Sequence, residues 1–367
     1  MLGSLKKAGK SINPSHIQEK AEIECTVSQS LIKSTPSAFI ADEIKSLKVI
    51  TVLKSSVYKK MSHIEKLNLA IKNTLSIDKK IRPINSKNEP GGLVEFPEDD
   101  FREMIIAGDI HANKRNLKAI LQDSKNLYKL EKNEAVLIFL GDVVHDERTG
   151  HLKEMDSSIE IMDIVIHLIN KFPNNVIYLL GNHDTLSPQL AKSGILQGVI
   201  YHEALIHHRG EEYAGLMNKL FDSLPVFVKH KYFLAVHAGP VRGGIGKGEL
   251  INLKAYPECH HQLTWNRINE FHSTPSRKEY SHHDLDDLRH ILKTPENIPI
   301  FVGHNPLWKC GGENTVWVNP LQTHDHVILY CGVENVCPYI SVKNSFEYEI
   351  KYANLKLKKS RFFLRDQ

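Results

Sequence analysis

The residues of this chain with the chemistry to hold a metal or move a proton stand just beyond five short apolar runs. MIIAGDIH (104–111) ends in Asp109 and His111, and AVLIFLGDVVHD (135–146) carries Asp142. NVIYLLGNHD (175–184) carries Asn182 and His183, YFLAVHAG (232–239) carries His237, and IPIFVGHN (298–305) carries His304. The donors are carboxylate, amide and imidazole with no thiolate, a mixture that suits manganese, iron or zinc better than a structural cysteine-zinc site. These seven positions exceed what one metal takes from a protein while keeping an open site. They suit two metals that share a carboxylate. Singly, each is ordinary, because GD at a strand end is common and a lone His after an apolar run is more often a core or surface residue. Five such ends in one chain are not independent accidents.

Continuous apolar runs suit strands buried on both faces, in a sheet covered by helices. In open α/β sheets, ligand sites gather beyond the carboxyl ends of the strands. The glycine before each donor is expected to let the chain turn sharply there. Between the runs, 116–128 and 157–172 show helical periodicity, with 217–224 and 285–292 as shorter helices. HVILYCGVE (326–334) and NSFEYEIKYANLKL (344–357) add strands. The class is α/β. Residues 1–80 contain helical-looking stretches at 38–54 and 63–74, and RPINSKNEPGG (82–92) reads as a linker. The expected organisation is a helical extension and linker over 1–95, a catalytic domain over 96–350, and a basic segment over 351–367. The abrupt end FFLRDQ reads as a truncation.

Composition narrows the classes. The 367 residues are 25% charged and 41% hydrophobic, which is globular, and the net charge of +4 is too mild to argue for nucleic acid. That sum hides a split. Residues 1–95 carry 16 basic and 9 acidic side chains and residues 351–367 carry six and one, which leaves 25 basic against 33 acidic for 96–350. The basic ends are solvated faces or docking surfaces for a partner or a membrane. No apolar run approaches the roughly 18 residues of a transmembrane span, and MLGSLKKAGKS has no stretch of signal-peptide type. The five cysteines contain no CxxC and read as reduced thiols of a cytoplasmic-type environment, with a Cys331–Cys337 disulfide as the alternative.

GDIH, GDVVHD, GNHD, VHAG and VGH, in that order, resemble the signature of the calcineurin-like metallophosphoesterases. More closely they are similar to the phosphoprotein phosphatases, whose pattern runs GDxHG, GDxxDRG, GNHE, HGG or HAG and a later His. The resemblance covers roughly residues 102–335. It implies a sandwich of two mixed sheets flanked by helices. It also implies that Asp109 and His111 bind a first metal, that Asp142 bridges both, and that Asn182, His237 and His304 bind the second. His183 would then protonate the leaving group. The implied reaction is hydrolysis of a phosphoserine or phosphothreonine ester in a phosphoprotein, by a hydroxide bridging two divalent metals, manganese first and iron or zinc next.

The second motif departs from the pattern. GDVVHDERTG puts His145 where an orienting Asp belongs. A one-residue slip would let Asp146 support His183 and Arg148 reach phosphate, and the alternative leaves Glu147 and Arg148 as a solvated pair. Asn113 suits a helix cap or a phosphate contact. Arg267 in LTWNRINEF resembles a phosphate-binding arginine of bacterial-type members, with Arg242 as a second candidate; a buried Trp265 beside a structural ion pair is the bland alternative. ECHHQ (258–262) is a segment to check for zinc, and GGIGKGE (243–249) reads as a flexible loop. Motif order and a Lys-, Asn- and Ile-rich composition also resemble Wip-type effector phosphatases, which bacterial pathogens translocate into the host cytosol. Three alternatives stay open: a phosphotyrosine phosphatase, a diadenosine-tetraphosphate-type hydrolase, and a catalytically dead binding module.

Overall fold

Period-two alternation decides which way each strand residue faces. The computed structural model describes residues 56–148, 150–270, 274–305, 315–320 and 325–356. Its strands are β1 (Leu93–Glu95), β2 (Glu103–Ala107), β3 (Ala135–Phe139), β4 (Val176–Tyr178), β5 (Phe227–His230), β6 (Phe233–Val236), β7 (Arg267–Ile268), β8 (Glu279–Tyr280), β9 (Ile300–Val302), β10 (Val316–Val318), β11 (His326–Leu329), β12 (Pro338–Val342) and β13 (Tyr348–Tyr352). One sheet runs β1-β5-β6-β9-β11-β10 and the other β13-β12-β2-β3-β4. Both are mixed: β2, β3 and β4 are parallel, β12 joins them antiparallel, and β6, β9 and β11 are parallel beside antiparallel β5 and β10. The expected fold class holds.

Strands β6, β9 and β11 of the first sheet are buried on both sides, as uninterrupted apolar strands require. Phe233 and Ala235 of β6, Phe301 of β9 and Val327 and Leu329 of β11 face the second sheet. Their neighbours Leu234, Val236, Ile300, Val302 and Ile328 face the other way, into a smaller core with Leu250, Leu263, Leu285 and Leu288. Those last four come from helices Lys247–Ile251, Pro257–Trp265 and His282–Ile291. The GGIGKGE loop is thus partly the start of a helix, with Gly246 at its N-cap.

The sequence-predicted helix at 157–172 is Asp156–Lys171. The one at 116–128 is two helices, Lys114–Gln122 and Asn126–Glu131, because Ser124 and Lys125 sit at φ 47° and 60° and interrupt the hydrogen-bond ladder. Asn113 caps the first of these, its side-chain oxygen accepting the Asn116 N–H at 3.2 Å.

Helix His63–Leu75 opens with a capping box between Ser62 and Glu65. It buries Leu67 and Ala70 in the main core; the Leu67 side chain contributes about 2 kcal/mol by leaving water. Asn170 donates to the Lys66 carbonyl at 2.8 Å and accepts from Asn73 at 3.1 Å, which ties that helix to Asp156–Lys171. Residues 82–92, expected as a linker, are laced into the same body. The Arg82 guanidinium is buried and donates to the carbonyls of Thr74, Gly91 and Ser223 at 2.8–3.0 Å, and β1 follows as an edge strand. The stretch 38–54 and residues 357–367 lie outside the described residues. Cys331 donates to the Pro338 carbonyl and Cys337 to the Asn116 carbonyl, and both are free thiols. No helix among the described residues is long and apolar enough to cross a membrane.

Candidate active site

The carboxyl ends of β2, β3, β4, β6 and β9 converge where the two sheets meet. Asp109 bridges to Tyr330 at the end of β11, and its carbonyl accepts the Cys331 N–H at 2.8 Å. Several of the donors turn off their strands in the left-handed region, with φ 45° at His111, 49° at Asp142 and 57° at His304. For a non-glycine residue this is strained backbone of the kind found at functional sites. Glycine was expected to make these turns, and Gly141 does so at φ 113°. Gly303 serves closeness instead: a Cβ there would lie 2.0 Å from Asp109 Oδ1.

The convergence makes two groups of three donors that share Asp142. Asp109, His111 and Asp142 form one and Asp142, His237 and His304 the other, each with its donor atoms within 4.8 Å of one another. Asn182 Oδ1 lies 3.0 Å from His237 Nε2, beside the second group. The histidines are oriented from outside. His111 Nδ1 donates to the His145 carbonyl at 3.0 Å, His237 Nδ1 to the Leu140 carbonyl at 3.0 Å, and His304 Nε2 to the Trp265 carbonyl at 3.1 Å. A carbonyl only accepts, so each of those nitrogens carries a proton and the other is left to take a second proton or a metal. His111 Nε2 and His237 Nε2 then lie 3.9 and 3.4 Å from Asp142 Oδ2. Asp109 Oδ1 is buried without a hydrogen-bond partner. Acceptors aimed at one another in a dry place need a cation between them, so the donor set fits the metals that the motifs imply. The ECHHQ segment joins none of the three metal-type groups among the described residues.

Electrostatics agrees with crowding. Burial, with the neighbouring Asp142 charge, pushes Asp109 up to about 7. Burial acts the same way on Asp142, but His237 and His183 beside it hold it well below the usual carboxylate range. Burial opposes charge on His237, yet Asp142 and Asp109 push it up to about 9. His304 is driven down to about 3 by burial, then by His237, with Arg267 adding to the effect.

The carboxylate that organises this edge is Asp184, which stands where the GNHE pattern has Glu. It accepts the backbone N–H groups of Asp142 at 2.9 Å, Val143 at 3.1 Å and Gly181 at 2.9 Å, and the Tyr178 hydroxyl at 2.5 Å. It thereby staples the loop after β3 to the loop after β4.

The second motif folds differently from the expected slip. Asp146 does not hold His183. It is paired with Arg148, accepting its N–H at 2.9 Å and its guanidinium through both oxygens, and Arg148 also donates to Glu334 at 2.7 Å. Two residues of spacing let these charges meet locally, so Arg148 is taken by carboxylates. Glu147, which the alternative to the slip left as a solvated partner of Arg148, reaches the site. Its Oε1 lies 3.4 Å from His183 Nε2 and its Oε2 3.4 Å from His111 Nε2. It also pairs with Lys192. The three form another donor group, His111, Glu147 and His183. The His145 ring is buried against His183 and Tyr201, at 5.7 and 5.2 Å between centroids, with both nitrogens unpartnered, and burial holds it down to about 3. Nothing in the local order H-D-E-R distinguishes these roles. Arg267 is exposed at the start of β7, and Trp265 is 39% exposed rather than buried, its ring 6.1 Å from that of His304. Arg242 donates to the Ser276 carbonyl at 3.3 Å.

The sequence model of the calcineurin-like phosphoesterases matches residues 104–332. The chain belongs to that family. No curated protein matches it. Among solved structures it is similar to a protein serine/threonine phosphatase from Saccharomyces cerevisiae, at 14% identity and a TM-score of 0.56, over 86% of this chain and 98% of the yeast one. It also matches a cold-active protein-tyrosine phosphatase of a Shewanella species, at 13% identity and a TM-score of 0.42, over 75% and 85% of the two chains. At such identity the likeness is one of fold. This family member is a phosphoesterase hydrolase of a family that uses two metals, and its residues supply the matching donor groups.

Proposed function

We propose that this phosphoesterase is a phosphoprotein phosphatase that hydrolyses phosphoserine and phosphothreonine monoesters. The observation that carries it is the pair of donor groups sharing Asp142, with three histidines locked from outside by backbone carbonyls. Asp109, His111 and Asp142 would hold one metal, and Asp142, Asn182, His237 and His304 the other. Manganese fits such oxygen and imidazole donors first, with iron or zinc next. Bound there, the pair supplies Lewis acidity that polarises phosphoryl oxygens and makes a water nucleophilic near neutral pH.

The chain's own residues do the rest. A serine or threonine alkoxide leaves poorly unless it receives a proton, and His183 is placed to give one from Nε2. Burial keeps a lone His183 neutral, well below its usual range. Glu147 beside Nε2 and an incoming phosphate dianion favour its charged form. Arg267 grips phosphate from the His304 side. A phosphotyrosine substrate is the second reading, favoured by the exposed Trp265 indole beside His304. The composition that resembles translocated effectors supports substrates in a host cytosol.

The test is hydrolysis of phosphoserine, phosphothreonine and phosphotyrosine peptides and diadenosine tetraphosphate with added manganese, beside Asp109→Asn and His183→Asn. The serine and threonine peptides should turn over fastest, and His183→Asn should lower kcat by about 10²-fold or more, the usual worth of a general acid. If neither substitution lowers hydrolysis, the site assignment is wrong; if no substrate turns over with any divalent metal, the enzyme reading fails.

A further inference from the structure

Arg148, the cation expected on the His183 side of the site, is held by Asp146 and Glu334. Another cation does reach that side. Lys192 lies in the loop between β4 and helix Gln197–Arg209. Its N–H donates to the Ile195 carbonyl and the Ile195 N–H donates back, both at 2.9 Å, around Ser193 at φ 50° and Gly194 at φ 77°. Two successive positive φ angles inside a mutual hydrogen-bond pair make a tight type I′ turn, which fixes the Lys192 backbone. Its ammonium meets Glu147 Oε1, the same oxygen that lies 3.4 Å from His183 Nε2.

We propose that Lys192 binds the phosphoryl group of the substrate on the His183 side, with Glu147 as its counter-ion when no substrate is there. This rests on the phosphatase reading above and deepens it. A half-exposed lysine–carboxylate pair is worth little, and the Lys192 side chain is 37% exposed. Exchange of one carboxylate for a phosphate dianion therefore costs little and gains a stronger charge-assisted contact. The four-carbon stem lets the ammonium move from one oxygen to a neighbouring one while the turn holds the backbone still. With Arg267 on the far side, phosphate would be gripped from two directions.

The test uses the full chain loaded with manganese. Wild type, Lys192→Ala, Lys192→Gln, Lys192→Arg, Glu147→Gln and the Lys192→Ala/Glu147→Gln double variant are compared in two assays. One is hydrolysis of p-nitrophenyl phosphate, and the other is calorimetric titration with inorganic phosphate. Lys192→Ala and Lys192→Gln should raise KM and the phosphate Kd about tenfold or more with a much smaller change in kcat, the factor expected for one hydrogen bond to a charged group. Lys192→Arg should restore most of the loss, and the same loss should persist when Glu147 is neutral. A phosphate Kd within about twofold of wild type in both the alanine and glutamine variants overturns the proposal. So does a loss that vanishes in the Glu147→Gln background, since Lys192 would then act only by holding Glu147. Wild type that binds phosphate through Lys192 yet turns over no phosphomonoester sinks the phosphatase reading alone, whereas wild type that binds no phosphate sinks the role of Lys192.

Discussion

Gly303→Ala adds one methyl group in the most crowded part of the site. That Cβ would stand 2.0 Å from Asp109 Oδ1 and 3.0 Å from its Cγ. Real carbon–oxygen contacts begin near ~3.2 Å, so the carboxylate must retreat by about 1 Å. It has little freedom to do so. Its Oδ2 accepts the His304 N–H at 2.8 Å, and the Asp109 carbonyl is tied to the Cys331 N–H at 2.8 Å. Rotation of the carboxyl group moves both oxygens, Oδ1 from beside His237 Nδ1 at 3.8 Å and Oδ2 from beside His111 Nε2 at 4.0 Å. Overpacking of a dense interior costs about 1–3 kcal/mol in stability, which a folded domain of this size tolerates. A displacement of about 1 Å in a reacting constellation costs about 10²-fold in rate. The expected result is a folded protein that binds one manganese equivalent much more weakly by calorimetry and loses about 10²-fold in kcat. Two equivalents bound with wild-type affinity, and kcat within about threefold, would refute the placement of Asp109 against Gly303.

Two further outcomes follow from the same geometry. Asp146→Asn should lower stability by about 1–2 kcal/mol in urea, through loss of the Arg148 contacts, while kcat on p-nitrophenyl phosphate stays within about twofold; Glu147→Gln should do the reverse, and equal kinetic losses would restore the one-residue slip. His326 is buried, donating from Nδ1 to the Ile300 carbonyl at 3.3 Å and accepting the Tyr280 hydroxyl at 3.0 Å, and burial drives it down to about 4. Between pH 6.5 and 4 the unfolded chain holds a proton there that the folded chain does not. Stability should therefore fall as pH drops through that window, by about 3 kcal/mol from this group. Urea unfolding in EDTA should show a flatter pH profile for His326→Gln, and parallel profiles would contradict the depressed value.

Much of the architecture could be read from the order of residues. Five apolar runs ending in Asp, His or Asn are strands, because only strands buried on both faces tolerate such runs in a charged chain, and their carboxyl ends form one edge. The donors therefore had to meet there. The division of one expected helix at Ser124 and Lys125 was hidden, because lysine and serine carry no local signal for left-handed backbone. The capping of helix Lys114–Gln122 by Asn113 was visible, since an Asn cap acts within three residues. The laced segment 82–92 looked like a linker, because its prolines, glycines and polar residues are local while the Arg82 contacts to Thr74, Gly91 and Ser223 are not.

The same distinction runs through the site. Which residue types gather, and that no thiolate joins them, followed from the chain alone, because strand order and strand ends are properties of the local pattern. Which carboxylate faces His183 did not. Asp146 and Glu147 are adjacent and chemically alike, and their roles separate only after Arg148 folds back on the first and a turn 45 residues later brings Lys192 to the second. Asp184 owes its role to the same cause: two of its four donors, the N–H groups of Asp142 and Val143, come from the loop after β3, which the parallel pairing of β3 and β4 sets beside its own. Hydrogen bonds and ion pairs are short-ranged, so partners distant in the chain acquire roles only when packing has brought them within about 3 Å.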